Sequence, residues 1–263
     1  ILQGTPLLFG ATGEILTEKS GNLNLGIPGI MYIGAISGVV GGFFYQNSAA
    51  RVQPVPAILI PLLCCLAGSL LTSLLYCFLT VTLKADQNVT GLTLTIFGTG
   101  FANFFGEVMI SQTAGGQPKL PENLAVLCGF YISRTRAGLS MRSVGENPAA
   151  ADAAGINVTL VKYTIILLGG GICGLGGVYI SLINGGGVWN NGCVGGQGWI
   201  AVALVIFASW SPVKAILGSL VFGAFSVLQL YIPRNILPLP NAFYVMLPFL
   251  ITAIVLILSL IHI

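Results

Sequence analysis

Apolar stretches separated by short polar ones run along almost the whole chain. A helix needs about 20 mostly apolar residues to cross the hydrocarbon core of a bilayer. Residues 23–45, 55–83, 160–183, 212–232 and 243–260 meet or approach that length. Residues 91–110 do so as well, interrupted by Asn103 and Glu107, and 1–16 form a shorter candidate. Two stretches do not fit. Residues 124–133 are apolar over only half a bilayer, and 200–210 follow the glycine-rich NGGGVWNNGCVGGQGW. The first reads either as a re-entrant piece or as a sign that residues are absent around 117–127. The second reads as a helix broken at membrane depth, where irregular backbone has to be shielded from lipid. The pattern predicts an all-α, polytopic transmembrane helix bundle in one domain, 1–263, with about 8–10 spans, some of them broken or short.

Composition strengthens this reading. Hydrophobic residues make up 55% of the 263 positions and charged residues 6%, against about 25% charged in a soluble domain. Lipid is the solvent such a surface needs. The net charge of +3 is small and not spread as a nucleic-acid footprint would be, so no nucleic-acid partner is expected. The chain opens inside an apolar stretch, and a native start upstream is the expectation. The six cysteines form no C-x-x-C pair, and most lie in apolar runs as small hydrophobes. No metal site is expected. The single histidine, His262, sits in an apolar C-terminal run, and no P-loop, H-E-x-x-H or G-x-S-x-G occurs. The chain is not expected to be an enzyme.

The scarce charge gathers in one place. Arg134, Arg136 and Arg142, with Lys162 beyond, flank a single loop, and basic residues in short loops stay cytoplasmic. Within it, Asn147 suits an N-cap, Pro148 the first helical position, and Gly155 the residue past the end. A helix over 148–154 is too short to persist alone in water and becomes firm only when docked. Gly145, Glu146, Asn147, Pro148, Ala151, Asp152 and Gly155 are the candidate coupling surface; the plainer alternative makes the arginines topological anchors only.

Polar groups inside spans mark candidate pathways, because ionisable residues are costly in a bilayer. Glu14, Glu18 and Lys19 precede SGNLNLG. That segment is either an exposed turn with a salt bridge or a break between half-helices, with Asn22 and Asn24 facing the pathway. Asn103 and Glu107 lie four apart on one helix face, which should turn inward. Phe101, Phe104 and Phe105 nearby are either packing or a ring for a base. Trp189 and Trp199 read as interfacial anchors on the external side. Gly34, Gly38 and Gly42, and likewise Gly170 and Gly174, repeat every four residues as faces for close helix packing.

RTRAGLSMRSVGENPAAADAAGIN resembles the cytoplasmic coupling loop, here 134–159, of permease subunits in bacterial ABC importers of the ribose- and nucleoside-type family. TPLLFGATGEILTEKSGNLNLGIPGIMYIGA is similar to the start of its nucleoside branch, with the pattern E-x-S-G-x-x-N-x-G. GWIAVALVIFASWSPVKAILGSLVFG is similar to its late segment. The resemblance covers nearly the whole chain, with two departures. Pro28 stands where the branch commonly has Glu, and the branch carries an external loop and a further span before R-T-R. It implies a transport subunit in the bacterial cytoplasmic membrane that moves a small polar solute, a nucleoside before a pentose or other sugar. It implies as partners an ATP-binding subunit holding ATP and Mg, an external substrate-binding lipoprotein, and a second permease that is a related but different chain. An ion-coupled secondary transporter, using Glu14, Glu18 and Glu107, is the competing class, and a passive channel a third.

Overall fold

The computed structural model describes residues 3–48, 54–110, 152, 155–185 and 189–231, with 246, 249, 250, 253, 254 and 257. Among the described residues there is no strand. The elements are α1 (Thr5–Lys19), α2 (Ile27–Ser48), α3 (Pro54–Cys77) with a π-helical turn at Phe78–Thr82, and α4 (Gln87–Ile110). They continue with α5 (Val158–Tyr179), a second π turn at Ile180–Asn184, α6 (Gln197–Phe207) and α7 (Pro212–Tyr231). The bounds lie within a few residues of the expected spans. By length and apolarity, Ile27–Ser48, Pro56–Thr82 and Val158–Leu182 can each cross a membrane. Helices α6 and α7 contribute shorter apolar windows. The residues around 117–127 and the loop up to Ala151 lie outside the described residues.

Helix directions follow from which glycines meet which partners. Gly176 abuts Pro6 and Phe9 while Gly169 abuts Gly13 and Thr17, so α1 runs antiparallel to α5. Gly41 meets Ile60 and Cys64 while Gly68 meets Ile33 and Ser37, so α3 runs antiparallel to α2. Gly174 meets Ser69 and Gly170 meets Ser73, which sets α3 antiparallel to α5. The repeated glycines lie where helices approach closely. A Cβ on Gly34 would lie 2.6 Å from the Cα of Gly174, and one on Gly38 would strike the Val178 side chain. Close approach of this kind is how helices associate where lipid removes the hydrophobic drive.

Two of the apolar cores among the described residues are large. Ile30, Met31, Tyr76, Ile166 and Cys173 fill the space between α2, α3 and α5. Leu7, Ala11, Ile15, Leu204 and Phe222 fill that between α1, α6 and α7. Outward faces remain apolar, as with Leu71, Ile96 and Val213, each more than 60% exposed; lipid is the medium that tolerates them. The four described lysines lie at one end of the bundle. Lys19 ends α1, Lys84 joins α3 to α4, Lys162 is in the first turns of α5, and Lys214 in the first turn of α7. The ends are tied together: Tyr163 and Thr82 share a hydrogen bond of 2.5 Å, and Trp210, before α7, donates to Glu18. Basic residues gathered at one end are the pattern that the positive-inside rule describes for a cytoplasmic face.

Candidate functional site

The helical path is interrupted at 20–26 and at 189–196, and the helices that follow start from the protein interior. A Cβ on Gly198, in the first turn of α6, would lie 2.6 Å from the Cα of Pro28, in the first turn of α2. Ala201 meets Gly10, and Trp210 reaches Glu18, so α6 runs parallel to α1. It therefore leaves the meeting point toward the lysine-bearing end, while α2 leaves toward the other. Two helix N-termini thus face each other inside the bundle. N-terminal N–H groups lack intrahelical acceptors and carry partial positive charge. Pro28 suits this place because the N–H it lacks would have had no helical partner.

The first break is built from its sequence outward. Gly21 takes φ 81°, a conformation that costs an L side chain about 1 kcal/mol or more, and its N–H donates to the Glu18 carbonyl at 2.9 Å. Beyond it the chain is neither helix nor strand, and burial alternates from residue to residue. Asn22 and Asn24 are buried, 1% and 2% exposed, while Gly21 and Leu23 are not. Asn24 bends the backbone by accepting from the Gly26 N–H at 2.9 Å. Its own N–H donates to Glu14 Oε1 at 2.8 Å.

Neighbouring helices hold the rest of the break. The Tyr76 hydroxyl donates to the Leu23 carbonyl at 2.6 Å, and the Thr95 hydroxyl to the Leu25 carbonyl at 2.8 Å. Gln87 Oε1 accepts from the Leu23 N–H at 2.8 Å. Buried backbone groups are nearly always paired, and here α1, α3 and α4 supply the partners. Two buried acceptors stay unpartnered: Oε2 of Glu14, which is fully buried, and Oδ1 of Asn22. An unpaired buried polar atom costs about 1–3 kcal/mol. A donor brought by a ligand removes that cost.

The second break is held differently. Gly195 N–H donates to the Tyr32 hydroxyl at 3.0 Å. Trp189 Nε1 donates to Asn191 Oδ1 at 3.1 Å, and Asn191 Nδ2 to Glu107 Oε1 at 3.0 Å. Asn103 Oδ1 and Gln197 Oε1 are buried without partners.

Of the expected pathway residues, Glu14, Asn22 and Asn24 converge on the first break. The Asn103 and Glu107 face turns toward the second, but Glu107 itself is exposed. Trp189 corrects the interfacial reading. It is 3% exposed and packs under Gly106, where a side chain would collide with the indole; Trp199 is 40% exposed. Phe101 and Phe105 meet at 4.6 Å between centroids, with rings tilted by 43°, on an exposed face of α4. Sequence reasoning passed over Tyr76, Thr95, Gln87, Tyr32 and Asn191. Their signal was faint: single polar groups in apolar or loop segments whose partners lie far along the chain. Of the coupling residues, Asp152 and Gly155 are described. Gly155 takes φ 81°, and its N–H donates to the Asp152 carbonyl at 2.9 Å, the geometry of a residue just past a helix end. Gly145, Glu146, Asn147, Pro148 and Ala151 lie outside the described residues.

A family profile described as branched-chain amino acid transport system / permease component matches residues 1–121 and 123–256. Among characterised relatives, the nucleoside ABC transporter permease protein NupC of Lactococcus lactis is 35% identical over 293 aligned positions, covering 99% of this chain and 90% of its own. The putative glucose ABC transporter permease protein TsgC13 of Haloferax volcanii is 31% identical, covering 86% of this chain and 74% of its own. The guanosine ABC transporter permease protein NupQ of Bacillus subtilis is 29% identical, covering 97% and 89%. No solved structure matches the chain.

Proposed function

We propose, from the premise that the chain belongs to the permease-component family of branched-chain amino acid transport systems, that it is the membrane permease of an ATP-driven ABC importer carrying nucleosides. The observation that carries this reading is the pair of buried, unpartnered acceptors, Glu14 Oε2 and Asn22 Oδ1, beside a break whose main chain is held by Glu14, Tyr76, Gln87 and Thr95. Helix breaks at membrane depth are where transporters hold polar solutes. A nucleoside brings hydroxyl and amine donors to such acceptors. Glucose, the solute in the name of one relative, brings hydroxyls alone. The start of the chain and the two relatives with nucleoside names, each covered over about nine-tenths of its length, favour the nucleoside.

In this reading the chain works in a bacterial cytoplasmic membrane beside a second, related permease and receives solute from an external binding lipoprotein. An ATP-binding subunit, holding ATP and Mg, meets the surface around Gly145–Gly155. The 293 aligned positions against 263 residues, and the profile match interrupted at 122, favour a shortened stretch around 117–127. The test is nucleoside uptake into vesicles holding the assembled transporter, with and without ATP. Uptake should require ATP and fall at least about tenfold in Asn22→Leu, where a ligand hydrogen bond is lost, with the ATPase still co-purifying. Ion-driven uptake without ATP overturns the importer reading, and full uptake by Asn22→Leu overturns the site.

A further inference from the structure

Below the first break, on the cytoplasmic side, lies a cavity of about 770 Å³ that the pathway reading leaves unused. Pockets that hold small ligands span about 300–1,000 Å³. Asn22, Lys84, Gln87, Asp152, Asn157 and Lys162 are on its wall, so it joins the floor of the break to the end of the coupling segment.

The wall is unevenly furnished. Gln87 Oε1 is taken by the Leu23 N–H and Asn157 Oδ1 by the Leu160 N–H, which leaves each amide its NH₂ group to offer. With the ammonium groups of Lys84 and Lys162, the wall is rich in donors. Among the described residues, Asp152 is its one carboxylate. The acceptor side is supplied by Asn22, buried and with Oδ1 unpartnered. Local structure brings the two lysines to one cavity. The π turn at the end of α3 leads into Lys84 at φ 56°, a conformation uncommon outside glycine and associated with functional strain. The hydrogen bond between Thr82 and Tyr163 fixes that turn beside Lys162.

A ligand matching this wall carries hydroxyl donors at one end and a multiply charged oxyanion at the other. We propose that the cavity binds a hydroxyl-bearing phosphate monoester from the cytoplasm, with the phosphate between Lys84 and Lys162 and a hydroxyl on Asn22 Oδ1. Occupancy ties up Asn22 and stops release of solute, so the phosphorylated form of the imported solute restrains its own supply. The reaction class that supplies this ligand is phosphoryl transfer to the imported hydroxyl compound. The choice of a nucleotide as probe rests on the nucleoside reading; the site does not.

The experiment uses the assembled transporter in nanodiscs of zwitterionic lipid, with direct binding of adenosine monophosphate and of glucose phosphate. In parallel, ATP-driven uptake is measured in vesicles preloaded with each. Adenosine monophosphate should bind and inhibit. Lys84→Gln or Lys162→Gln should weaken both effects about tenfold, the scale of one charge-assisted hydrogen bond, with uptake into empty vesicles unchanged and Lys84→Arg retaining inhibition. Binding of glucose phosphate alone keeps the site and sinks the nucleoside reading. Inhibition seen only with anionic lipid, and relieved by the same variants, assigns the phosphate to a headgroup. No binding by either ester in any lipid, or inhibition of equal strength in the Lys84→Gln/Lys162→Gln double variant, overturns the proposal.

Discussion

The two interruptions do the same geometric job, starting a helix from inside the bundle, yet they are held by different means. The break at 20–26 is tied by four side chains from α1, α3 and α4, all to its main chain at Leu23, Asn24 and Leu25. Its asparagines are buried. The break at 189–196 is tied across helices by Tyr32 and by the exposed Asn191–Glu107 bond, and Asn190, Asn191 and Gly192 face outward. Regions with few buried contacts and exposed hydrogen bonds open at lower free energy than tightly bonded ones. In the proposed pathway the first break is therefore the fixed polar floor, and the second, whose hydrogen bonds are more exposed, is the element that shifts more readily.

The sharpest way to break this contrast is to exchange carboxylates for leucine at each site. Glu14→Leu strands the buried Asn24 N–H, at a cost of about 1–3 kcal/mol, and removes a proposed solute acceptor as well. Uptake should fall by roughly ten- to a hundredfold. Glu107→Leu removes an exposed contact and should leave uptake within about threefold, since surface pairs contribute about 1 kcal/mol or less. Equal losses in the two variants would erase the distinction.

A smaller effect is expected from the two tyrosines. Tyr76→Phe leaves the Leu23 carbonyl without its donor and should lower stability by about 1–2 kcal/mol. Tyr32→Phe frees a Gly195 N–H next to an exposed loop that water can satisfy, and should cost about 0.5 kcal/mol. Thermal unfolding of the purified complex in one detergent ranks them; a Tyr32→Phe loss as large as that of Tyr76→Phe would mean that both breaks are equally fixed.

The helices were legible in the sequence because apolar length alone dictates a span. The bounds of α2, α3 and α5 follow from runs with no competing signal. EKSGNLNLG was legible only as an interruption, with an exposed turn and a break between half-helices equally open; its glycine and alternating asparagines are a local pattern with a local cause. Its anchors were not legible. Tyr76 donates to a carbonyl 53 positions away and Thr95 to one 70 away, and nothing near either residue marks the partner. Trp189 was misread for a related reason. Tryptophan beside a polar loop suits an interface, but the missing side chain of Gly106, 83 positions earlier, opens the slot that buries it.

The finest test replaces one glycine in each break. Gly21 and Gly192 adopt φ 81° and 79°, and both are exposed, so alanine at either position meets the same backbone strain. Each substitution should cost about 1 kcal/mol, and the two unfolding curves should coincide. Function should separate them. Gly21 sets the angle at which the chain leaves α1 and so aims Asn22 and Asn24 inward; a small rotation there displaces the acceptors from the solute. Gly192 lies in a turn whose neighbours face outward, and a rotation there is absorbed by the loop. Gly21→Ala should therefore lower uptake severalfold at matched stability, and Gly192→Ala should not. Equal uptake in both would show that the aim of the asparagines does not matter, and the floor would have to be sought elsewhere.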